Sequence, residues 1–328
     1  MRKLLIISND IERVGATPGA HTFRAQHEAK LREAAGNALS VTIAAPEEAP
    51  PHFAEAEIVA AFPMRVPELS LLPSVKWIHS FSAGVDKILT PEVVASSVIV
   101  TNSSGVHATP IAEHLIGFLL MFTRGFSAAL RAQEKRQWLR DATPDELFGK
   151  TVLVVGLGEI GTEFARLAAQ FGTRIWAVSR SGKGKPAFVL RLETPDMLDA
   201  MLPEADFVAI TLPGTSETHH LFDAKKFALM KPSAVLLNIG RGSIVREADL
   251  IDALQAGTIA GAGLDVFEQE PLPPESVLWD MENVIITPHN SGLSHRYMDR
   301  AVELLCDNLR AYLKGEVPGT LVDKRLGY

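Results

Sequence analysis

An apolar run, Thr151 to Val155 (TVLVV), passes directly into Gly156-Leu157-Gly158-Glu159-Ile160-Gly161 and then into the helical pattern of Thr162 to Phe171. Strand, glycine turn and helix in that order leave the chain few alternatives. Gly156 allows the tight turn, Gly158 lets a pyrophosphate approach the backbone, and Gly161 lets the helix pack close to the strand. The helix start, with Glu159 and Ile160 in its first turn, offers free N–H groups to the phosphates. The pattern predicts a dinucleotide-binding βαβ unit.

Strand-like runs recur at 151–156, 174–178, 206–211, 234–239, 260–265 and 283–286, with helical patterns between most of them. A parallel pair of strands needs a crossover, so the alternation predicts an α/β fold with a doubly wound parallel sheet. The length of 328 residues leaves room for about two domains. In the amino-terminal part, Lys3 to Ser8, Val41 to Ala44, Ile58 to Ala61, Val75 to Ile78 and Val98 to Val100 read as short buried strands, and His21 to Ala35 as an amphipathic helix. The segment Ala45 to Phe53 (APEEAPPHF) carries too many prolines for regular structure and reads as a surface loop. Residues 108–140 read as one or two long helices and Pro144 to Gly149 as a turn-forming link. The last segment, Ser294 to Lys314, reads as a helix long enough to leave the second sheet and pack elsewhere.

Composition removes several function classes. With 47% hydrophobic and 22% charged residues the chain has the profile of a soluble globular protein. Its net charge of −7 repels a polyanion, and no long Lys/Arg block offsets it, so nucleic acid is not expected as a partner. The apolar stretch Ile111 to Phe122 is interrupted by Glu113 and His114 and is too short to cross a bilayer. Met1 to Ser8 lacks the length and the cleavage site of a signal peptide and reads as a first strand. A single cysteine, Cys306, fits a reducing compartment and a buried structural thiol, and a cytoplasmic location is expected. His219 and His220 are adjacent, their side chains are expected to point apart, and no Cys or carboxylate cluster joins them, so no metal site is expected.

Cofactor choice is written after the next strand, Arg174 to Val178. Where an acid would bond the ribose 2′-hydroxyl and repel a 2′-phosphate, the chain has Ser179-Arg180-Ser181, followed by Gly182-Lys183-Gly184-Lys185. That favours NADP, with NAD possible; the alternative is a solvated basic turn unrelated to the cofactor. Three later segments stand at strand ends of the same sheet: Asn238 to Gly242 (NIGRG), Gly263 to Pro271 (GLDVFEQEP) and Thr287 to Asn290 (TPHN). Ligands of doubly wound sheets bind outside the carboxyl ends of the strands, so Arg241, Glu270 and His289 are expected to converge there.

These residues resemble the D-isomer-specific 2-hydroxyacid dehydrogenase family, and the resemblance runs through nearly the whole chain. Ser82-Ala83-Gly84-Val85-Asp86 is similar to the family's substrate-carboxylate loop, Gly105 to His114 to its interdomain helix, and NIGRG, LDVFEQEPLP and TPH are its most specific marks. The resemblance implies a flavodoxin-like substrate domain, residues 1–102 and 291–328, around an inserted Rossmann-type cofactor domain, residues 103–290. It also implies a homodimer built largely on the inserted domain. The implied reaction moves a hydride between NADP(H) or NAD(H) and a 2-oxo acid/D-2-hydroxy acid pair. In it, Arg241 clamps carboxylate and carbonyl with its planar fork, His289 is the proton donor, and Glu270 favours the imidazolium. The turn amides at Ala83 and Gly84 bind the substrate carboxylate.

Further cofactor contacts are implied residue by residue. Asp265 matches the acceptor of the nicotinamide carboxamide, although it could equally be a strand-end cap; Leu212, Pro213 and Thr218 match the adenine side, and Ile239 lies near the nicotinamide. Asn290 departs from the small apolar residue of many relatives. Trp138, otherwise on a solvated helix face from Arg131 to Arg140, matches an aromatic near the substrate mouth. Pocket walls are expected from Phe62 to Arg65, Phe81, Tyr297 and Met298. Formate dehydrogenases carry Gln where this chain has Glu270, which argues against that activity. Phosphite dehydrogenases keep Arg, Glu and His, and phosphoglycerate oxidation stays open, although no regulatory domain is expected after residue 328. Outside the enzymes, a nucleotide-sensing scaffold like the family's transcriptional corepressors is the alternative.

Overall fold

The computed structural model describes residues 2–11, 19, 21–85, 87–140 and 143–325. They fall into two units, Met1–Val106 with Leu293–Tyr328, and His107–Gly292.

In the first unit, β1 (Lys3–Ile7), β2 (Ser40–Ala44), β3 (Ala56–Ala61), β4 (Trp77–Ser80) and β5 (Ile99–Thr101) form one all-parallel sheet in the order β2-β1-β3-β4-β5, the flavodoxin-like arrangement. Strands covered on both faces must be apolar throughout, and Leu4 to Ile7 are all buried. Leu4 and Ile6 pack with Trp77, while Leu5 and Ile7 pack with Val59 and Leu72, as the two-residue period of a strand requires. Two helices share the Leu4 face: α1 (Ala25–Ala35) and the carboxyl-terminal α9 (Tyr297–Leu313), whose Met298, Ala301, Val302, Leu305 and Leu309 form a helical stripe. Thus the last helix does leave the second sheet and pack elsewhere. His27 Nδ1 accepts from Arg24 N–H at 3.0 Å, so the proton on Nε2 is the one that reaches Asp299 Oδ1 at 2.8 Å, joining α1 to α9. Cys306 lies in this core, and burial pushes its thiol up to about 11. A short helix, α2 (Pro91–Ala95), is capped by the Thr90 hydroxyl. Where Ala45 to Phe53 was expected to lack regular structure, Pro50–Glu55 form a 3-10 helix, since a proline at the first turn removes an N–H that has no partner there anyway.

The second unit holds β6 (Thr151–Val155), β7 (Arg174–Val178), β8 (Arg191–Glu193), β9 (Phe207–Ile210), β10 (Val235–Asn238), β11 (Gly261–Leu264) and β12 (Val284–Ile286), again all parallel, in the order β12-β11-β10-β9-β6-β7-β8. The chain reverses its direction of travel between β6 and β9, which is the topological switch point of a Rossmann-type sheet. Around it stand α3 (Ala108–Thr123), α4 (Phe126–Glu134), α5 (Glu159–Ala169), α6 (Leu198–Met201), α7 (Ala224–Leu229) and α8 (Glu247–Gln255). Val152 and Val154 pack with Phe118, Leu119 and Phe164 on one face; Leu153 and Val155 pack with Leu236, Phe227 and Leu250 on the other. No single helix among the described residues is long and apolar enough to cross a membrane, and α3 and α4 are bent by 70° at their junction. The expected helix over Arg131 to Arg140 ends at Glu134: Arg136 takes a left-handed φ of 55°, which breaks the helical path, and Trp138 stands 91% exposed.

Candidate active site

The glycine turn after β6 meets three separate steric demands. Gly156 has φ 109°, open only to glycine, and a Cβ on it would lie 2.9 Å from the Leu212 side chain. A Cβ on Gly161 would lie 2.1 Å from the Gly156 carbonyl oxygen, so α5 approaches β6 more closely than any side chain permits. Gly158, by contrast, faces open space, and it caps the start of α5. Thr211 locks the turn, its hydroxyl donating to Gly156 O at 2.5 Å. Two glycines fixed by packing and one left bare at a helix start are what a pyrophosphate needs, so these residues fit a dinucleotide.

Beside it, Ser179 follows β7 directly. Its N–H donates to Glu193 O at 3.0 Å and its hydroxyl accepts from Gly182 N–H at 3.2 Å, which closes the turn; Arg180 and Ser181 are exposed. After β9, Leu212 is half-buried, and Thr218 closes the 213–218 loop by donating to Pro213 O at 2.8 Å. Ile239 is buried in the core beneath the Arg241 turn.

The catalytic candidates lie on three loops after β10, β11 and β12. Asn238 pins the first, accepting from Gly240 N–H and donating to Arg241 O, both at 3.1 Å. Arg241 is exposed, with Nη1 on its neighbour Gly240 O at 2.7 Å. Gly242 lies flush against the second loop: a Cβ there would sit 1.9 Å from the Phe267 carbonyl, so backbone meets backbone. In that second loop Glu270 Oε1 accepts from Phe267 N–H at 3.0 Å, and Oε2 accepts from His289 Nδ1 at 2.6 Å. A carboxylate only accepts, so the shared proton is on Nδ1 and the Nε2 edge is left for a ligand. His289 holds a left-handed φ of 50°.

Asp265 is fully buried. Its Oδ1 accepts from the Thr287 hydroxyl at 2.6 Å and from Asn290 N–H at 3.0 Å, and Oδ2 accepts from Ser291 N–H at 3.1 Å. It therefore caps the strand end and fastens the His289 loop. Because the Thr287 hydroxyl gives its proton to Asp265, His114 Nε2 donates to Thr287 at 3.0 Å; burial pushes the His114 pKa down. That chain was not foreseen from sequence, where His114 stands only as a polar interruption of an apolar stretch.

The profile of the D-isomer specific 2-hydroxyacid dehydrogenase NAD binding domain matches residues 116–291. The glyoxylate reductase of Thermofilum pendens is 38% identical over 260 residues, spanning 77% of this chain and 76% of that one. The chain belongs to the D-isomer-specific 2-hydroxyacid dehydrogenase family. A crystal structure of a family protein from Aeromonas salmonicida superposes with a TM-score of 0.83 at 34% identity, covering 98% of this chain and 99% of that one. The NADPH-dependent glyoxylate/hydroxypyruvate reductase of Sinorhizobium meliloti, solved with NADP and sulfate, gives 0.77 at 29%, covering 100% of both. The protein is an NAD(P)-dependent oxidoreductase that interconverts 2-oxo and 2-hydroxy acids.

Some expectations about this dehydrogenase are corrected by its geometry. His219 and His220 do not point apart: the left-handed φ of 50° at His220 stacks the two rings with centroids 3.9 Å apart, and His220 Nε2 reaches Glu268 Oε1 at 2.7 Å. No group of metal-binding residues occurs among the described residues. Phe81, Tyr297 and Met298 are buried core rather than pocket wall, with the Tyr297 hydroxyl donating to Phe81 O. In the first unit, the Ala83–Gly84 turn is held from below by Asn102 Nδ2 on Ala83 O at 2.8 Å. Among the described residues neither its Ala83 nor its Gly84 amide has a protein acceptor; Asp86, from the same motif, lies outside the described residues.

Proposed function

We propose that this dehydrogenase reduces a short 2-oxo acid of the glyoxylate or hydroxypyruvate kind to the D-2-hydroxy acid, with NADPH preferred over NADH. The observation that carries the reading is the Glu270–His289 contact of 2.6 Å on the same sheet edge as Arg241 and the glycine turn. Gly156, Gly158, Glu159, Ile160 and Gly161 would hold the cofactor's pyrophosphate, with Leu212, Pro213 and Thr218 on the adenine side and Ile239 near the nicotinamide. Asp265 Oδ2, with a single donor, keeps acceptor capacity for the carboxamide. When bound, the cofactor supplies the hydride. Arg241 orients the substrate by its carboxylate and polarises the carbonyl, whose oxygen gains negative charge in the reduction. His289 gives a proton from Nε2 to that oxygen, and Glu270 holds the ring and balances its charge. The Ala83 and Gly84 amides bind the substrate carboxylate. In this reading residues 103–290 are the cofactor domain, and residues 1–102 with 291–328 the substrate domain.

The cofactor preference is supported by the turn after β7. No acid stands at Ser179, and the exposed Arg180 and Ser181 offer a guanidinium and a hydroxyl to a 2′-phosphate. A homodimer built on the cofactor domain is supported by apolar side chains bared along residues 126–148: Phe126, Leu130, Trp138, Leu139 and Phe148. A cytoplasmic location rests on the single, buried thiol. The deciding experiment is a panel of glyoxylate, pyruvate, hydroxypyruvate, larger 2-oxo acids, phosphite and 3-phosphoglycerate, each run with both forms of cofactor. Highest kcat/KM for glyoxylate or hydroxypyruvate with NADPH is the expected result; turnover of phosphite alone, or none at all, removes the reading. Light scattering tests the dimer.

A further inference from the structure

Glu270 rides on the Phe267–Glu270 segment, and two residues that the acid pair does not use hold this segment from outside. Glu268 N–H donates to Glu247 Oε2 at 3.2 Å, and Glu268 Oε1 accepts from His220 Nε2 at 2.7 Å. Since a carboxylate only accepts, Nε2 is the donor whatever the charge on the ring. Glu247 opens α8 just after the Arg241 turn, and burial raises its pKa. His220 touches the same turn through its backbone, donating its N–H to Ser243 O at 2.8 Å, while Phe222 N–H reaches Ile244 O at 3.0 Å. On its amino-terminal side lies the 213–218 loop that Thr218 closes. The left-handed φ of 50° at His220 is a backbone state that only a few per cent of non-glycine residues adopt.

We propose that His220 is a positioning residue that couples three loops: through Glu268 it fixes the Phe267–Glu270 segment, and with it the Glu270 carboxylate, relative to the Arg241 turn and the 213–218 loop. The path to Glu270 is short, because the donor to Glu270 Oε1 is the N–H of Phe267, the residue next to Glu268. The inference rests on the reading of Glu270 and His289 as the acid pair.

The test compares the full-length His220→Ala, His220→Gln, Glu268→Ala and His220→Ala/Glu268→Ala variants, with Glu270→Gln as reference, on the best 2-oxo acid of the panel. A small displacement of a catalytic group costs up to about a hundredfold, so His220→Ala is expected to lower kcat by roughly tenfold. Its KM for NADPH and its Tm stay near wild type, because one hydrogen bond between two partly exposed side chains adds little net stability. His220→Gln, which keeps a donor, recovers most of the loss. Glu268→Ala matches His220→Ala, the double variant is no worse than either, and the alkaline limb of the kcat profile moves in the same direction as in Glu270→Gln. A fall in Tm with unchanged kcat, or additive losses in the double variant, overturns the proposal. If Glu270→Gln alters the profile and His220→Ala does not, only the positioning role falls; if Glu270→Gln itself alters nothing, the acid pair falls with it.

Discussion

His289 has one nitrogen committed to Glu270 and one left over, and that asymmetry separates two kinds of substitution. Removing the ring removes the proton donor: His289→Ala should lower kcat by about 10² to 10⁴ while cofactor affinity, measured by fluorescence quenching, stays near wild type. Glu270→Gln keeps the size of the side chain but not its charge, and its single amide oxygen cannot accept from both Phe267 N–H and His289 Nδ1, so the ring loses its counter-charge and the segment loses one of its two anchors. Reduction consumes a proton from this ring, so kcat should fall by up to about a hundredfold and the shape of its pH profile should change; a variant with unchanged kcat and profile removes Glu270 from the mechanism. At this scale the Glu270–His289 contact was legible because each residue follows a strand of one parallel sheet, and strand ends on the same side lie together. The partners that hold them were not. Glu268 and His220 are 48 residues apart, and no period or motif joins a histidine of one loop to a glutamate of another.

At the scale of elements, the β6–α5 turn could be read because each of its glycines answers to a different steric demand, and the three demands appear as a spacing. By contrast β8 could not. It is three residues long, Arg191–Glu193, and has no apolar run; its strand character comes from pairing with β7 at the sheet edge. The end of α4 was equally hidden, because the charges from Arg131 to Arg140 suit a helix until the left-handed turn at Arg136 interrupts it. The β7 turn carries the cofactor prediction. Ser179→Asp combined with Arg180→Ala places a ribose-binding acid where a phosphate would sit and removes the guanidinium beside it. The ratio of kcat/KM for NADPH to that for NADH should fall by about tenfold to a hundredfold, mainly through KM, since a charge-assisted bond is worth roughly 1.5 to 3 kcal/mol. A wild-type enzyme that already favours NADH would show that the turn is merely solvated.

On the scale of the whole molecule, acid stability hinges on a histidine outside the chemistry. His79 is fully buried on β4, with Nδ1 at 2.7 Å from the Thr101 hydroxyl, and burial pushes its pKa down to about 3. Once unfolded, the same side chain takes up a proton near its ordinary 6.5. Between those values the unfolded chain binds more protons, so stability is full above about 6.5 and is lost as the pH falls, by at most about 1.4 kcal/mol per pH unit from this residue. His79→Gln should narrow the gap between Tm at pH 7 and at pH 5; an unchanged gap would assign acid sensitivity elsewhere. The sheet order has a different consequence. Between β7, followed by the Ser179–Ser181 turn proposed to choose the cofactor, and β10, followed by Arg241, stand β6 and β9. At about 4.8 Å per strand the two loops are separated by roughly 14 Å, beyond the range over which substitutions usually perturb one another. Changes to coenzyme choice and changes to substrate grip should therefore add in log kcat/KM. The enzyme could then be retuned for one partner without renegotiating the other, and a double-variant cycle between Ser179→Asp and Arg241→Lys would measure that independence as a coupling energy near zero.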